Sequence, residues 1–243
     1  MTQDVHHTKS IDVCLTPELL HQYSLDNKIA VIVDILRATS CMVTGLAHGV
    51  KEIVPVSTLE ECLALQSQGY LAAAERDGSR AEGFDMGNSP FEYMKERVVG
   101  KKVAVTTTNG TLTLNKSLDA KEILIGAFLN IAALTEYLKL QEEDIIIVCA
   151  GWKGKFNLED TLFAGALCHA LKNDFEFACD APLAAEAMYL TAKNDMASYM
   201  KNSAHAKRLG KLNVIDDIEF CIQESIYDVI PVLYGESLVP LRQ

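Results

Sequence analysis

Several patterns that mark common nucleotide and metal sites are missing from this chain of 243 residues. It has no GxxxxGK(S/T) phosphate loop and no GxGxxG dinucleotide fingerprint, which excludes both of those nucleotide sites. No Cys is followed after five residues by an Arg, so a thiol-nucleophile phosphatase with that pattern is not expected. The six His are scattered and no two are spaced for a shared zinc ion, so no zinc site is predicted.

The chain also lacks a basic surface, a long apolar run and paired cysteines. Its net charge is −11, so nucleic acid and anionic membranes are not expected partners. No apolar run approaches the roughly 20 residues of a membrane helix, and the polar start MTQDVHHTKSID has no signal-peptide core. The seven Cys include no CxxC pair. Most lie in apolar stretches, which predicts buried, reduced thiols in a cytoplasmic protein.

Apolar runs that alternate with helical patterns make up most of the chain. Strands are predicted over 29–36, 52–56, 70–74, 102–108, 122–128 and 144–151. Continuous apolar strands alternating with helices are typical of a mainly parallel sheet that is covered on both faces. After about residue 175 the pattern weakens, and Pro231 and Pro240 are expected to break regular structure.

Two sections of the chain show the same order of elements. KEIVPV begins at residue 51 and KEILIG at residue 121, so the two segments lie 70 residues apart. We infer a duplicated β-α-β-α-β unit over approximately 29–75 and 101–150, with 151–243 completing one fold over 1–243; the alternative is chance similarity. Each section has a polar turn after its first strand, where open α/β sheets bind ligands.

The first polar turn is VDILRATS, residues 33–40. Asp34 lies inside an otherwise apolar predicted strand, and an unpaired buried carboxylate is costly, so it needs a cation, donors or an exposed strand end. Arg37 offers a planar fork for a tetrahedral anion. Thr39 and Ser40 lie at a predicted helix start, which suits phosphate. The alternative is an Asp34–Arg37 ion pair with a helix cap.

Three further segments carry polar side chains that follow predicted strands. In VTTTNGT, Thr108 and Asn109 offer hydrogen bonds and Gly110 allows close approach of a ligand; the alternative is an Asn-Gly turn. In AGWKGKFNLED, Glu159 and Asp160 lie in the first turn of a helix, where acids are also favoured structurally, with Lys155 nearby.

The third segment is RDGSRAEGFDMGNSP, residues 76–90, with Glu75 before it. Arg76 and Arg80 are candidate contacts for an anion, whereas a solvated loop is the alternative for the rest. Asn88–Pro90 predicts the cap of the next helix, and a structural role for Ser89. Acids after several strand ends predict a site for a hard divalent ion.

Together these segments resemble a known family. VDILRATSCMVTGLAHG, GFDMGNSP, VTTTNGT, IGAFLN, CAGWKGKFNLED and the tail DDIEFC…YDVIP are similar, in order and over almost the whole chain, to the 2-phosphosulfolactate phosphatases. GFDMGNSP combined with TTTNGT is specific, whereas neither suffices alone. The resemblance implies a three-layer α/β/α fold of two intertwined, duplicated subdomains. It also implies a magnesium-dependent acid phosphatase acting on 2-phospho-3-sulfolactate, a step towards coenzyme M.

The resemblance further implies that the matched polar positions form the site. They are Asp34, Arg37, Thr39, Glu75, Asp85, Asn88, Thr108, Asn109, Glu159 and Asp160. From their chemistry we predict catalytic roles for Asp34, Arg37, Glu75, Glu159 and Asp160. The four acids among them are predicted Mg²⁺ ligands, or a base that positions water. Predicted substrate contacts are Thr39, Ser40, Arg76, Arg80, Asn88, Thr108, Asn109, Gly110 and Lys155.

Several alternatives remain open at the level of sequence. Asp34 could instead be a covalent nucleophile that forms an aspartyl-phosphate. The protein could act on another small anionic phosphoester, or be a non-catalytic module that binds an anionic metabolite. Acids at several strand ends argue against the module, because acids repel an anion unless a cation intervenes. The intertwined halves and apolar helices make a homodimer plausible.

Overall fold

The computed structural model describes residues 8–76, 79–201, 203, 204, 207 and 215–242, without the side chain of Arg76. The strands, in chain order, are β1 (Ser10–Cys14), β2 (Ile29–Val33), β3 (Glu52–Pro55), β4 (Leu71–Arg76), β5 (Ser79–Arg80), β6 (Lys102–Thr106), β7 (Glu122–Gly126), β8 (Ile145–Cys149), β9 (Glu176–Phe177), β10 (Pro231–Tyr234) and β11 (Ser237–Pro240). The α-helices are α1 (Ala38–Ala47), α2 (Leu59–Gln66), α3 (Pro90–Tyr93), α4 (Gly110–Lys116), α5 (Ile131–Lys139), α6 (Leu158–Leu171), α7 (Asp180–Ala192), α8 (Met196–Lys201) and α9 (Ile215–Cys221). Short 3-10 helices cover Pro17–Gln22, Glu96–Val98 and Phe128–Asn130.

One large sheet forms the centre of the molecule. Its order in the described residues is β5-β4-β6-β3-β11-β10-β7-β2-β8-β1-β9. Strands β4, β6 and β3 are parallel to one another, as are β7, β2, β8, β1 and β9. The antiparallel hairpin β10–β11 joins these two parallel sets. The prediction of an α/β fold with a mainly parallel sheet is therefore confirmed.

The two sections with the same order of elements exchange their first strands. β2 lies between β7 and β8, so that Val31 pairs with both Leu124 and Ile147. Correspondingly, β6 lies between β3 and β4. Each parallel set thus contains a strand from the other section, and neither section can form its own part of the sheet alone. This interlocking topology fits the predicted intertwined arrangement, while the duplication itself stays an inference.

Burial on both faces explains the composition of the central strands. All five residues of β2, IAVIV, are buried, because helices cover both sides of the parallel sheet. Helix α6 is buried along most of its length and packs against α7 and α5. The rings of Phe128 and Phe163 meet edge to face at 5.4 Å within this core. Among the described residues, no helix is long and apolar enough to cross a membrane.

The C-terminal hairpin corrects one sequence prediction. Pro231 and Pro240 do not break regular structure: Pro231 begins β10, Pro240 ends β11, and the two pair opposite each other. Proline is compatible with these strand-end positions because the interior of the hydrogen-bond ladder is not interrupted. Gly235 and Glu236 form a two-residue loop, and Gly235 has a φ of 60°. That conformation is what a tight hairpin requires.

Two other regions differ from the sequence prediction. SIDVC, which the polar start of the chain concealed, forms β1 between β8 and β9. The segment FEYMKERV, which the sequence predicts as the helix after the cap at Asn88–Pro90, is not one helix. It forms the short helix α3 and then the 3-10 turn Glu96–Val98.

Candidate active site

The turn after β2 is closed by its own polar side chains. Asp34 directly follows β2 and is 8% exposed. Its N–H donates to Thr39 Oγ1 (3.1 Å), and the N–H of Thr39 donates to the carbonyl of Asp34 (3.0 Å). The Ser40 hydroxyl donates to the carbonyl of Ile35 at 2.8 Å. The hydroxyls of Thr39 and Ser40 therefore fix the turn and the start of α1.

Arg37 is joined to a residue from the far end of the chain. Its Nη1 pairs with Oδ2 of Asp217 in α9, and both residues are 4% exposed. The Ser89 hydroxyl donates to the other carboxylate oxygen, Oδ1, at 2.8 Å. Ser89 occupies the N-cap position of α3, as expected from the predicted cap at Asn88–Pro90, but its side chain makes no capping hydrogen bond.

The turn after β6 meets the turn after β2. The N–H groups of Thr107 and Thr111 donate to each other's hydroxyl oxygens, at 3.3 and 3.2 Å. Gly110 then begins α4, and a Cβ at this position would lie 3.0 Å from Asp34 Oδ2 and 2.9 Å from Ala38 Cβ. Five strand steps separate β6 from β2 in the sheet order, and the two strands run in opposite directions, because the β10–β11 hairpin joins their parallel sets. The two turns nevertheless meet at Gly110 and Asp34.

Two further acids lie at the start of α6. Glu159 and Asp160 are fully buried. The two carboxylate oxygens of Asp160 accept the N–H of Ile35 (2.8 Å) and of Gly151 (3.1 Å). Asp160 therefore ties together the ends of the adjacent strands β2 and β8. Burial, followed by the charges of Asp34 and Glu159, raises the pKa of Asp160 well above its ordinary value. Asp34 and Glu159 thus both lie within electrostatic range of Asp160.

The charges of Asp34, Arg37 and Asp217 all affect the pKa values of two buried thiols. Burial and then Cys221, Asp217 and Asp34 raise the pKa of Cys41, while the Arg37 guanidinium opposes the shift. Burial raises the pKa of Cys221 to about 12, and the same three charged residues also act on it. Asp34, Arg37 and Asp217 therefore all lie within electrostatic range of the Cys41 and Cys221 thiols.

Glu75 and Arg80 lie on two neighbouring strands, β4 and the edge strand β5. Ala74 of β4 pairs with Thr106 of β6, so Glu75 stands level with the turn after β6. Arg80 pairs with Glu75 across β4 and β5, is exposed, and donates weakly to the carbonyl of Asp85 at 3.4 Å. Both residues are therefore placed at the rim of the site.

The remaining predicted substrate contacts differ in exposure. Asn88 is 8% exposed, and its Oδ1 is buried without a hydrogen-bond partner among the described residues. Thr108 is exposed and Asn109 is half-buried at the start of α4. Lys155 is exposed, and its backbone pairs with that of Trp152 in a tight turn after Gly151. The side chain of Arg76 lies outside the described part of the structure.

Asp85, which the resemblance assigned to the site, has structural contacts. Its Oδ2 accepts the N–H of Ala72 (2.8 Å) and the amide of Gln66 (2.9 Å). These bonds tie helix α2 and strand β4 to the loop that leads to Asn88. Asp85 thereby supports the position of that loop.

Asp217 is the main residue that reasoning from motifs did not assign to the site. In the sequence IDDIEFC it resembles an ordinary acid in the first turn of a helix. The tail DDIEFC was part of the family resemblance, and this was the only available signal. Only the structure shows that Asp217 pairs with Arg37, which lies 180 residues earlier in the chain.

The acids fit a magnesium ion only in a site with few protein ligands. Across the described residues, no three His, Cys, Asp or Glu side chains are grouped as a metal site. Mg²⁺ commonly binds through one or two carboxylates, with water and substrate phosphate completing its octahedron. Asp34 and Glu159 are buried oxygen donors of the required kind. Both oxygens of Asp160 already accept backbone N–H groups.

Fold and site define a mixed α/β protein with a buried, acid-rich site at the ends of parallel strands. A family model described as 2-phosphosulpholactate phosphatase matches residues 14–236. A probable 2-phosphosulfolactate phosphatase of Thermotoga maritima is 44% identical over 207 residues, covering 85% of this chain and 89% of that protein. A protein of the same name from Caldanaerobacter subterraneus is 40% identical over 220 residues, covering 88% and 91%. One from Clostridium beijerinckii is 35% identical over 226 residues, covering 91% and 95%. The chain belongs to the 2-phosphosulfolactate phosphatase family.

Proposed function

We propose that this protein is a magnesium-dependent phosphatase that converts 2-phospho-3-sulfolactate to 3-sulfolactate and phosphate, a reaction of coenzyme M biosynthesis. The observation that carries the proposal is the grouping of the buried acids Asp34, Glu159 and Asp160 in a chain of this family. Arg37, three residues after Asp34 in the same turn, pairs with Asp217. An acid-rich site of this kind suits an anionic phosphoester only when a cation is also bound.

In the proposed reaction, a water oxygen bonds to phosphorus while the bond from phosphorus to the C2 oxygen of the substrate breaks. Asp34 accepts a proton from the attacking water, and the departing alkoxide takes up a proton from solvent, to which Asp34 then returns its own. The Arg37 guanidinium donates to the phosphoryl oxygens, whose charge is spread in the transition state. Glu159 and Asp34 would hold Mg²⁺, which when bound neutralises phosphoryl oxygens and stabilises the leaving oxygen.

The other residues have supporting roles in this proposal. Asp160 fixes the ends of β2 and β8, and therefore the position of Asp34, through its two backbone hydrogen bonds. Asn88, Asn109 and Lys155 contact the carboxylate and sulfonate groups of the substrate from the rim. We further propose a cytoplasmic homodimer. The cytoplasmic location is supported by seven cysteines that are all free thiols.

The first test is phosphate release from racemic 2-phospho-3-sulfolactate, with Mg²⁺ and with EDTA. Phospholactate, phosphoglycerate and a generic aryl phosphate serve as comparison substrates. Release that is strongest from the sulfonate and is abolished by EDTA supports both reaction and substrate. Release only from the other esters would support a phosphatase activity but refute 2-phospho-3-sulfolactate as the substrate. No release from any ester would refute the proposed enzymatic function.

The second test examines the acids. Asp34→Asn and Glu159→Gln are expected to lower kcat by about 100-fold or more, since each removes charge at the reacting phosphoryl group. Glu142→Gln is a matched control, because Glu142 is exposed on the loop before β8. Circular dichroism establishes that each variant is folded. Wild-type turnover in folded Asp34→Asn and Glu159→Gln would refute the assigned roles.

A single-turnover reaction in ¹⁸O-labelled water, combined with hydroxylamine trapping, separates the two mechanisms for Asp34. Direct attack by water places ¹⁸O in the released phosphate and none in the protein. An aspartyl-phosphate that water opens at phosphorus also labels the phosphate, so hydroxylamine trapping of the acyl-phosphate at Asp34 decides between them. The proposal expects no trapped adduct.

A further inference from the structure

Three helix starts meet at the buried guanidinium of Arg37. Arg37 immediately precedes α1, Asp217 lies in the first turn of α9, and Ser89 immediately precedes α3. The three side chains form a chain of contacts, in which Ser89 donates to Asp217 and Asp217 pairs with Arg37. Segments that are far apart in sequence are thereby joined at one point.

From this geometry we infer that Asp217 and Ser89 are positioning residues that hold the Arg37 guanidinium in the orientation required by the phosphoryl group. The inference rests on the function proposed above. In this inference Asp217 does not contact the reacting atoms. It affects turnover only by orienting Arg37.

Burial is the first argument for this role. Arg37 and Asp217 are each only 4% exposed. A buried ion pair adds little net stability, because the desolvation of both charges offsets their attraction. The pair is therefore better explained by the geometry it imposes than by a gain in stability. A bound carboxylate restricts a long side chain that otherwise samples many rotamers.

The hydrogen bond from Ser89 is the second argument. The carboxylate of Asp217 is held at both oxygens, with Ser89 at Oδ1 and Arg37 at Oδ2. It cannot rotate without breaking one of these contacts. The helices that carry Ser89 and Asp217 are also packed together, because the rings of Phe91 and Phe220 lie 5.4 Å apart. The support for Arg37 is therefore itself fixed.

Asp217→Asn tests the inference, with Asp216→Asn as the matched control. Asp216 is the neighbouring residue in the first turn of α9 and is exposed. We expect Asp217→Asn to lower kcat/KM by about 100-fold, mainly through kcat, as a misplaced catalytic group does. Asp216→Asn should stay within twofold of the wild type. Ser89→Ala, which leaves the ion pair intact, should lose about tenfold.

A double-mutant cycle distinguishes positioning from a merely structural role. In an Arg37→Lys background, the planar fork is already absent, so adding Asp217→Asn should cost less than about threefold more. An undiminished 100-fold loss in that background would show that Asp217 acts independently of Arg37 and would overturn the inference. If Asp217→Asn fails to fold, Ser89→Ala is compared in the wild-type and Arg37→Lys backgrounds instead. A smaller loss of turnover in the Arg37→Lys background supports positioning, and an equal loss overturns it.

Binding of inorganic phosphate, followed by calorimetry with Mg²⁺ present, separates failure of this inference from failure of the proposed function. Asp217→Asn should weaken phosphate binding about tenfold relative to Asp216→Asn, even if the wild type hydrolyses none of the esters. Equal phosphate affinity in the two variants, together with equal turnover where the wild type is active, would overturn the positioning role.

Discussion

Replacement of Gly110 by alanine inserts one methyl group between the two turns that form the site. The new Cβ would lie 2.9 Å from Ala38 Cβ, 3.0 Å from Asp34 Oδ2 and 3.2 Å from Thr107 Oγ1. Comfortable separations between nonbonded carbon atoms are roughly 3.5–4.0 Å. The two turns must therefore move apart by about half an ångström or more, and Asp34 must move with them.

The expected cost has a stability part and a catalytic part. Overpacking of this kind lowers the free energy of unfolding by roughly 1–3 kcal/mol. Each kcal/mol corresponds to a fall in Tm of about 2–4 °C for a chain of this size. Displacement of Asp34 relative to the phosphoryl group should lower kcat by about 10- to 100-fold.

Phosphate release and thermal unfolding are measured on the same preparations. Gly69→Ala is the control for stability, since Gly69 has a φ of 94° and no atom within 4 Å of a built Cβ. It should lose about 1 kcal/mol through backbone strain while keeping full turnover. Adding Ala38→Gly to Gly110→Ala removes the shortest contact and should restore part of the activity.

Full activity in Gly110→Ala would refute the reasoning, because it would mean that the turns are not in contact at Asp34. If Gly69→Ala lost as much activity as Gly110→Ala, the reasoning would also be refuted, because turnover would then follow stability alone. A deficit confined to Gly110→Ala and relieved by Ala38→Gly is the pattern that the geometry predicts.

Three other predictions concern the rest of the molecule. Of the seven thiols only Cys179 is exposed, so a thiol reagent should titrate one fast thiol natively and seven after denaturation; a second fast native thiol would contradict the burial. The amide of Asn130 makes three buried hydrogen bonds to backbone atoms, so Asn130→Ala should lose about 3 kcal/mol in urea unfolding, and a loss near zero would contradict it. The hydrogen bond from His169, and then Lys172, lower the pKa of Glu186 below 4.5. Its stabilisation is therefore present above that pH and lost as the pH falls through the lowered pKa. Glu186→Gln should be less stable than the wild type at about pH 6, and the difference should disappear as the pH falls below the lowered pKa; a pH-independent difference would argue against this pair.

The hydrophobic pattern was sufficient to locate most of the central strands and helices. Runs such as IAVIV are buried throughout in a parallel sheet, so their composition is a local property that can be read directly. The hairpin β10–β11 was missed, because Pro231 and Pro240 suggested an interruption and the signal at Gly235 is a single residue. Strand β1 was missed because the polar residues around it concealed a short apolar core.

The site was predictable where its residues follow strands. Asp34, Gly110 and Asp160 were predicted from turns after β2 and β6 and from the helix after β8, and the structure brings these three segments together. Asp217 and Ser89 were not assigned, since an acid in a first helical turn and a serine before a proline have ordinary structural explanations. Their joint contact with Arg37 depends on three distant segments meeting.

The sequence by itself determined the elements, their order and the polar turns at the strand ends, because each of these depends on residues within about ten positions of one another. Tertiary structure alone decided which turns face each other and which charge Arg37 meets. Gly110 meets Asp34 although five strand steps separate β6 from β2 in the sheet order. Such contacts depend on the packing of the whole chain, and no local pattern encodes a partner 180 residues away.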